Sequence, residues 1–255
     1  MAQPRLLIDE PLSAGTEVAL GDNQSRHVGT VLRLGAGDAI RVFNARDGEW
    51  RAVIAEKNKR GIVVRVEALL REARAVPDLD LLFAPVKRHA TDLIVEKATE
   101  LGVRRIRPVI TQRTIAETVR LDRLQSIARE AAEQTERFDA PEICEPSNLA
   151  KALDGWDASR RLIYADEAGD DESQAWGGEK GRARPVLEAM QGMEANRLAV
   201  LIGPEGGFTS DERSMLRALG FVIPVSLGPR ILRAETAVIA ALSVIQSIWG
   251  DWTGR

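Results

Sequence analysis

Two glycine-bearing loops in the last fifth of this 255-residue chain hold the residues best suited to chemistry. The first, Gly203, Pro204, Glu205, Gly206 and Gly207, is entered from the apolar run Leu198 to Ile202. The second runs from Leu227 and Gly228 through Ile231, Leu232 and Arg233 to Glu235, and follows Phe221 to Val225. A short β-rich run that empties into a glycine loop and then a helix-like segment puts backbone N–H and C=O groups at the carboxyl edge of a sheet. Open α/β folds hold their ligands there. Neither loop reads G-x-G-x-x-G or G-x-x-x-x-G-K-[ST], so a nucleotide-phosphate cradle is not the natural reading. Arg233, between glycine loop and helix start, points donors toward the crevice. Glu235 fits a ligand contact or simply a carboxylate that offsets the helix dipole. The single Cys144 lies in neither loop, which disfavours a covalent cysteine mechanism. With two histidines in the chain it gives no zinc cluster, and no metal is expected.

These loops need a frame, and the chain has two. From Leu79 onward, strand-like Leu79–Val86, Ile106–Ile110, Arg161–Ala165, Leu198–Ile202 and Phe221–Val225 alternate with helical Thr91–Leu101, Leu121–Arg137, Asp211–Leu219 and Glu235–Trp249. That order predicts an α/β domain, a parallel sheet with helices on its faces. Thr209 and Glu212 have the spacing of a capping box for the helix after the first loop. Before it, β-rich Arg41–Asn44, Glu49–Ile54 and Gly61–Val66 are separated by turns at 35–38 and 46–48, with one helical stretch from Asn23 to Leu32. This pattern predicts a small β-barrel. The charged segment Leu70–Asp78, with Pro77, reads as the linker. The expected domains are 1–72 and 73–255. Residues 167–184, rich in Gly, Asp and Glu, read as a surface loop.

Composition is ordinary for a globular chain, at 44% hydrophobic and 29% charged with net charge −3. No apolar run approaches the ~20 residues of a membrane span, and the first residues lack the long apolar stretch of a signal peptide. The expected location is the cytoplasm, with no membrane partner. The slight acidity excludes a chain coated in basic residues but not a local basic face for RNA.

The strings GPEGGFTSDE and SLGPRILRAETA, in this order and spacing, resemble the signature loops of the RsmE family. Pro4 and Arg5, the stretches His27–Gly37, Lys97–Val103 and Glu133–Ile143 fall where that family has similar strings, so the likeness covers nearly the whole chain. The resemblance implies a SPOUT-class methyltransferase that uses S-adenosylmethionine to methylate N3 of a uridine in 16S ribosomal RNA, met within the small ribosomal subunit. It implies a PUA-like RNA-binding barrel, a C-terminal trefoil knot that periodicity alone would not predict, and a homodimer in which each active site faces the partner's RNA-binding module. The cofactor would contact Leu201, Ile202, Gly203, Pro204, Glu205, Gly206, Gly207, Leu227, Gly228, Ile231, Leu232, Glu235, Thr236 and Ala237. Apolar members would sandwich the adenine, and backbone amides would read its edge.

For RNA the candidates are Arg5, Arg26, His27 and Arg33. Trp50 could stack a base, but a core position is the better reading. Glu133, Gln134 and Arg137 share a helix side and fit either a structural network or the substrate cleft, with the resemblance favouring the cleft. Methylating uracil N3 requires loss of its proton, so cations near O2 and O4 favour the reactive anion; Arg233 is the expected catalytic side chain, with no general base assigned. Two rivals stay open: a SPOUT enzyme for another RNA position, and a non-catalytic RNA-binding protein of the same fold.

Overall fold

A computed structural model describes residues 3–115, 118–171, 173–193 and 196–253. By internal contacts the chain forms two units, Met1–Ala75 with Arg129–Ala140, and Val76–Ala128 with Pro141–Arg255.

In the first unit, β1 (Arg5–Leu7), β2 (Glu17–Ala19), α1 (Asp22–Arg26), β3 (Ala39–Asn44), β4 (Gly48–Asn58) and β5 (Gly61–Arg71) build one sheet in the order β1-β3-β4-β5-β2. All pairs are antiparallel except β1 with β3. Alternation sends Val42, Ala52, Ile54, Ile62, Val64 and Val66 to a single apolar core, which Val28 closes from the helical segment. Register shifts along β4 and β5 bend the long hairpin around that core. The helical stretch expected at 23–32 is α1 followed by a π-helical turn, His27–Val31. Strand β5 continues to Arg71, into the segment read as linker. Trp50 packs on the core and donates from Nε1 to the Asp47 carbonyl at 2.8 Å.

The second unit is built on β6 (Leu79–Phe83), α2 (Arg88–Glu100), β7 (Arg105–Ile110), the part of α3 (Leu121–Gln134) up to Ala128, the short β8 (Glu142–Ile143) and β9 (Ser147–Asn148), and α4 (Leu149–Leu153). Then come β10 (Arg161–Ala165), β11 (Arg184–Pro185), α5 (Val186–Ala189), β12 (Leu198–Ile202), α6 (Ser210–Ala218), β13 (Val222–Ser226) and α7 (Ala234–Ile248). The sheet runs β11-β13-β10-β12-β6-β7-β8, all parallel. Its central strands are almost entirely apolar because both faces are covered, with buried Asp80 in β6 as an exception. Leu79, Leu81, Phe83, Ile163, Leu198, Val200 and Ile202 face a core with α2, α5 and α7. Leu82, Leu162, Tyr164, Ala199 and Leu201 face the opposite core with α4 and α6. No helix among the described residues is long and apolar enough to cross a membrane.

Candidate functional site

Parallel strands deliver all their following loops to one edge. Because β13, β10 and β12 are neighbours, the segments after Ser226, Ala165 and Ile202 meet there. They enclose a cavity of about 570 Å³, within the range of small-ligand sites. Gly203–Gly207, Ile231 and Leu232 form part of its wall, with Asp166, Glu167 and Trp176 across from them in the lining.

Each glycine of the first loop has its own reason. A Cβ at Gly203 would lie 2.5 Å from the Phe208 ring, so only glycine lets that ring in. Phe208 stands edge-on to the Tyr164 ring, centroids 5.1 Å apart. A Cβ at Gly206 would meet only the Arg113 side chain, at 3.5 Å. In the second loop Gly228 has φ +120°, a conformation other residues adopt only with strain. The capping box expected at Thr209 and Glu212 is formed, and Glu212 also accepts from the Gln112 N–H at 2.8 Å, tying α6 to the segment after β7.

Polar groups lock the loops. The Glu167 carboxylate accepts from the Leu227 N–H at 2.8 Å and joins the loop after β10 to the loop after β13. Burial pushes its pKa up, against the Leu227 hydrogen bond. Buried Asp166 accepts from Arg213 Nε at 2.9 Å and Arg217 Nε at 2.8 Å, while Arg213 also donates to the Ala168 and Gly169 carbonyls. Arg113 donates to the Gly206 carbonyl at 2.9 Å. The Tyr164 hydroxyl is buried at the cavity wall with no hydrogen-bond partner among the described residues, and burial pushes its pKa up. No group of three or more His, Cys, Asp and Glu suited to a metal occurs among the described residues.

Of the residues expected to hold the cofactor, Ile202, Gly203, Pro204, Glu205, Gly206, Gly207, Ile231, Leu232 and Ala237 line this cavity. Leu201 does not: strand alternation sends it into the core on the other sheet face. Leu227 packs on the α7 side and offers its backbone to Glu167; Gly228, Glu235 and Thr236 lie outside the lining. Arg233 is exposed at the N-cap of α7, just beyond the cavity wall, and makes no ion pair among the described residues. The sequence reading missed Arg113 and Arg213 and assigned no role to Asp166 and Glu167. Asp166 and Glu167 follow β10 just as Gly203 follows β12, and that shared position was the available signal.

In the first unit Arg26, His27 and Arg33 are exposed, and exposed Val31 and Leu32 lie between them in the chain. Arg5 is a correction: it is 6% exposed and cannot meet an RNA phosphate. Its Nε donates to Glu49 at 2.8 Å, its other nitrogens to the Ala132 and Arg137 carbonyls, and its guanidinium lies 3.5 Å over the Phe43 ring. Glu133 accepts from the Leu7 N–H and Arg137 is buried against Asp139, so both belong to a structural network rather than a cleft. Lys97 and Glu100 form a partly exposed pair at 2.7 Å.

Comparison with known proteins bears on the same segments. Residues 73–246 match the model of an RNA methyltransferase domain, and residues 20–67 that of an RNA methyltransferase PUA domain. The ribosomal RNA small subunit methyltransferase E of Rickettsia conorii is 31% identical over 247 residues, covering 96% of each chain. The protein of that name from Synechocystis is 30% identical over 96% of this chain and 77% of its own. Among solved structures, a putative methyltransferase from Legionella pneumophila with bound SAM superposes with a TM-score of 0.84 at 29% identity, covering 98% of this chain and 100% of its own. A ribosomal RNA small subunit methyltransferase E from Neisseria gonorrhoeae bound to S-adenosyl methionine gives the same score and coverage at 28% identity.

Proposed function

The chain belongs to the ribosomal RNA small subunit methyltransferase E family, and from that premise we infer that it methylates small-subunit ribosomal RNA with S-adenosylmethionine as donor. One observation carries the reading: both glycine loops open onto a single cavity at the carboxyl edge of a parallel sheet. The cavity suits the donor chemically. Ile202, Ile231 and Leu232 offer apolar surface to an adenine, Gly206 leaves space that a side chain would fill, and the Tyr164 hydroxyl lacks a partner among the described residues. Gly203–Gly207, Ile231, Leu232 and Ala237 would hold the cofactor, with Gly228 shaping the second loop and Glu235 and Thr236 starting α7.

When bound, the donor supplies an electrophilic methyl group on a sulfonium. The acceptor we propose is N3 of a uridine in 16S rRNA. N3 would lose its proton to solvent and take the methyl group, leaving S-adenosylhomocysteine. The protein's part is to hold the base in line with the methyl group and to favour the imide anion with positive charge. Arg233, exposed and unpaired beside the second loop, is suited to that task. The trefoil knot belongs to the same reading; α7 packing back on α2 and the face of β12 is consistent with it.

RNA would be gripped in the first unit by Arg26, His27 and Arg33. Replacing Arg26 and Arg33 with alanine is expected to weaken rRNA binding and to reduce the salt slope by about 0.7–0.9 per contact, with donor affinity unchanged. An unaltered slope would remove these residues from the interface.

The working unit would be a homodimer in the cytoplasm. Ile231, Ile239, Ile248 and Trp252 leave apolar surface exposed at and around α7, the kind of patch a symmetric partner covers. Light scattering at micromolar concentration is expected to give twice the chain mass, and an active monomer overturns the assignment. The central test is mass-spectrometric mapping of 16S rRNA from cells with and without this protein. Loss of one N3-methyluridine is expected; loss of a different mark reassigns the target, and an unchanged rRNA refutes the function.

A further inference from the structure

A second cavity, of about 330 Å³, lies in the same unit, and Arg113, Pro204 and Glu205 line both cavities. Its inner surface is apolar, from Val86, Val119 and Leu124, and its rim is basic. Part of that charge is already neutralised: Arg123 is held by Asp92 at 2.6 Å and Arg120 by Asp122 at 2.9 Å. Lys87 and Arg88 are not. Both are exposed on the rim and form no ion pair among the described residues. Arg113 spends its donors on neutral carbonyls and keeps its charge.

We propose that this second cavity seats the target nucleotide of the RNA, with the base on the apolar surface and the adjoining backbone phosphate on Lys87 and Arg88. Three features agree. The volume admits one heterocycle with its sugar but no duplex, so the nucleotide must leave its stack to enter. An apolar interior under a rim of unpaired cations matches one flat base carrying one anionic link. Direct transfer needs the reacting atoms about 3–3.5 Å apart, so the acceptor's site must open onto the donor cavity, and Arg113, Pro204 and Glu205 line both. The subsite rests on the methyl-transfer reading and adds to it the surface that presents the acceptor.

The test uses the full-length protein, in-vitro-transcribed small-subunit rRNA and two variants. Lys87→Ala with Arg88→Ala is expected to lower rRNA affinity about tenfold and to make the salt slope shallower by about 0.7, the value for one single-stranded phosphate contact. Thr118→Trp, at an exposed position in the cavity lining, is expected to leave rRNA affinity near that of the wild type while turnover falls about 100-fold, because the base can no longer reach its position. Donor affinity by calorimetry should be unchanged in both. Wild-type affinity and slope in the double variant, or wild-type turnover in Thr118→Trp, overturns the subsite. A wild-type protein that methylates no rRNA defeats the functional reading instead, and the affinity and slope of the double variant still decide whether RNA sits on this rim.

Discussion

Replacing Arg5 with alanine is expected to lower the stability of the first unit by about 3 kcal/mol, because it strips one partner from a buried charge network. Glu49 is 1% exposed, and it is held by Arg5 at 2.8 Å, by Arg41 at 2.9 Å and by Arg71. The substitution also removes the hydrogen bonds to the Ala132 and Arg137 carbonyls and bares the Phe43 face. The midpoint of this unit's thermal unfolding should fall by about 12–24 °C, at roughly 4–8 °C per kcal/mol for a unit of this size. Arg5→Lys keeps the charge but cannot reach all three acceptors at once, so it should fall in between. The network also sets a pH dependence. Burial pushes the Glu49 carboxyl up, but hydrogen bonds from Arg5 and Arg71 outweigh it and leave its pKa below the usual range. A carboxylate depressed on folding contributes stability above its unfolded value, near 4.3, and loses it as pH falls through the folded value. Acid unfolding should therefore be shallower in Glu49→Gln than in the wild type. An Arg5→Ala protein that melts with the wild type would show that the network contributes nothing.

Gly206→Val is expected to weaken S-adenosylmethionine binding by about 100-fold or more while leaving the melting temperature of the free protein nearly unchanged. The position lines the cavity, its φ is outside the left-handed region, and an added Cβ meets nothing closer than Arg113 at 3.5 Å. The two outer methyl groups then stand in ligand space, and a tightly packed ligand has no room to yield. Other glycines of the loops are poorer probes. Gly203→Val would displace Phe208, and Gly228→Val would strain a backbone at φ +120°. Calorimetry with undiminished affinity in Gly206→Val would move the donor out of this cavity.

Much of this architecture could be read from residues alone. Leu79–Phe83 and Leu198–Ile202 announced doubly covered parallel strands because every position but Asp80 is apolar, and the glycine loops announced the binding edge because each follows an apolar run. What could not be read depends on distance in the chain. Arg5 looks like a surface cation until Ala132 and Arg137, some 130 positions away, arrive to accept from it. Glu167 looks like one more acid in a polar loop until the order β13-β10-β12 carries Leu227 to it. Leu201 was taken with its neighbour Ile202, although alternation puts the two on opposite faces of the sheet. Lys87 and Arg88 carry no local pattern at all; only a cavity gives them meaning.

The strand order has a consequence in time. β10 is almost wholly apolar and buried, yet both of its hydrogen-bonding neighbours, β12 and β13, follow it in the chain. When the ribosome has made Leu162, Ile163 and Tyr164, nothing yet synthesised can cover either edge of that strand. At roughly 5–20 residues per second, several seconds pass before Ile202 is added and β12 is complete. A chain released between Ala165 and Leu198 therefore carries this sticky strand without either partner and is primed to aggregate.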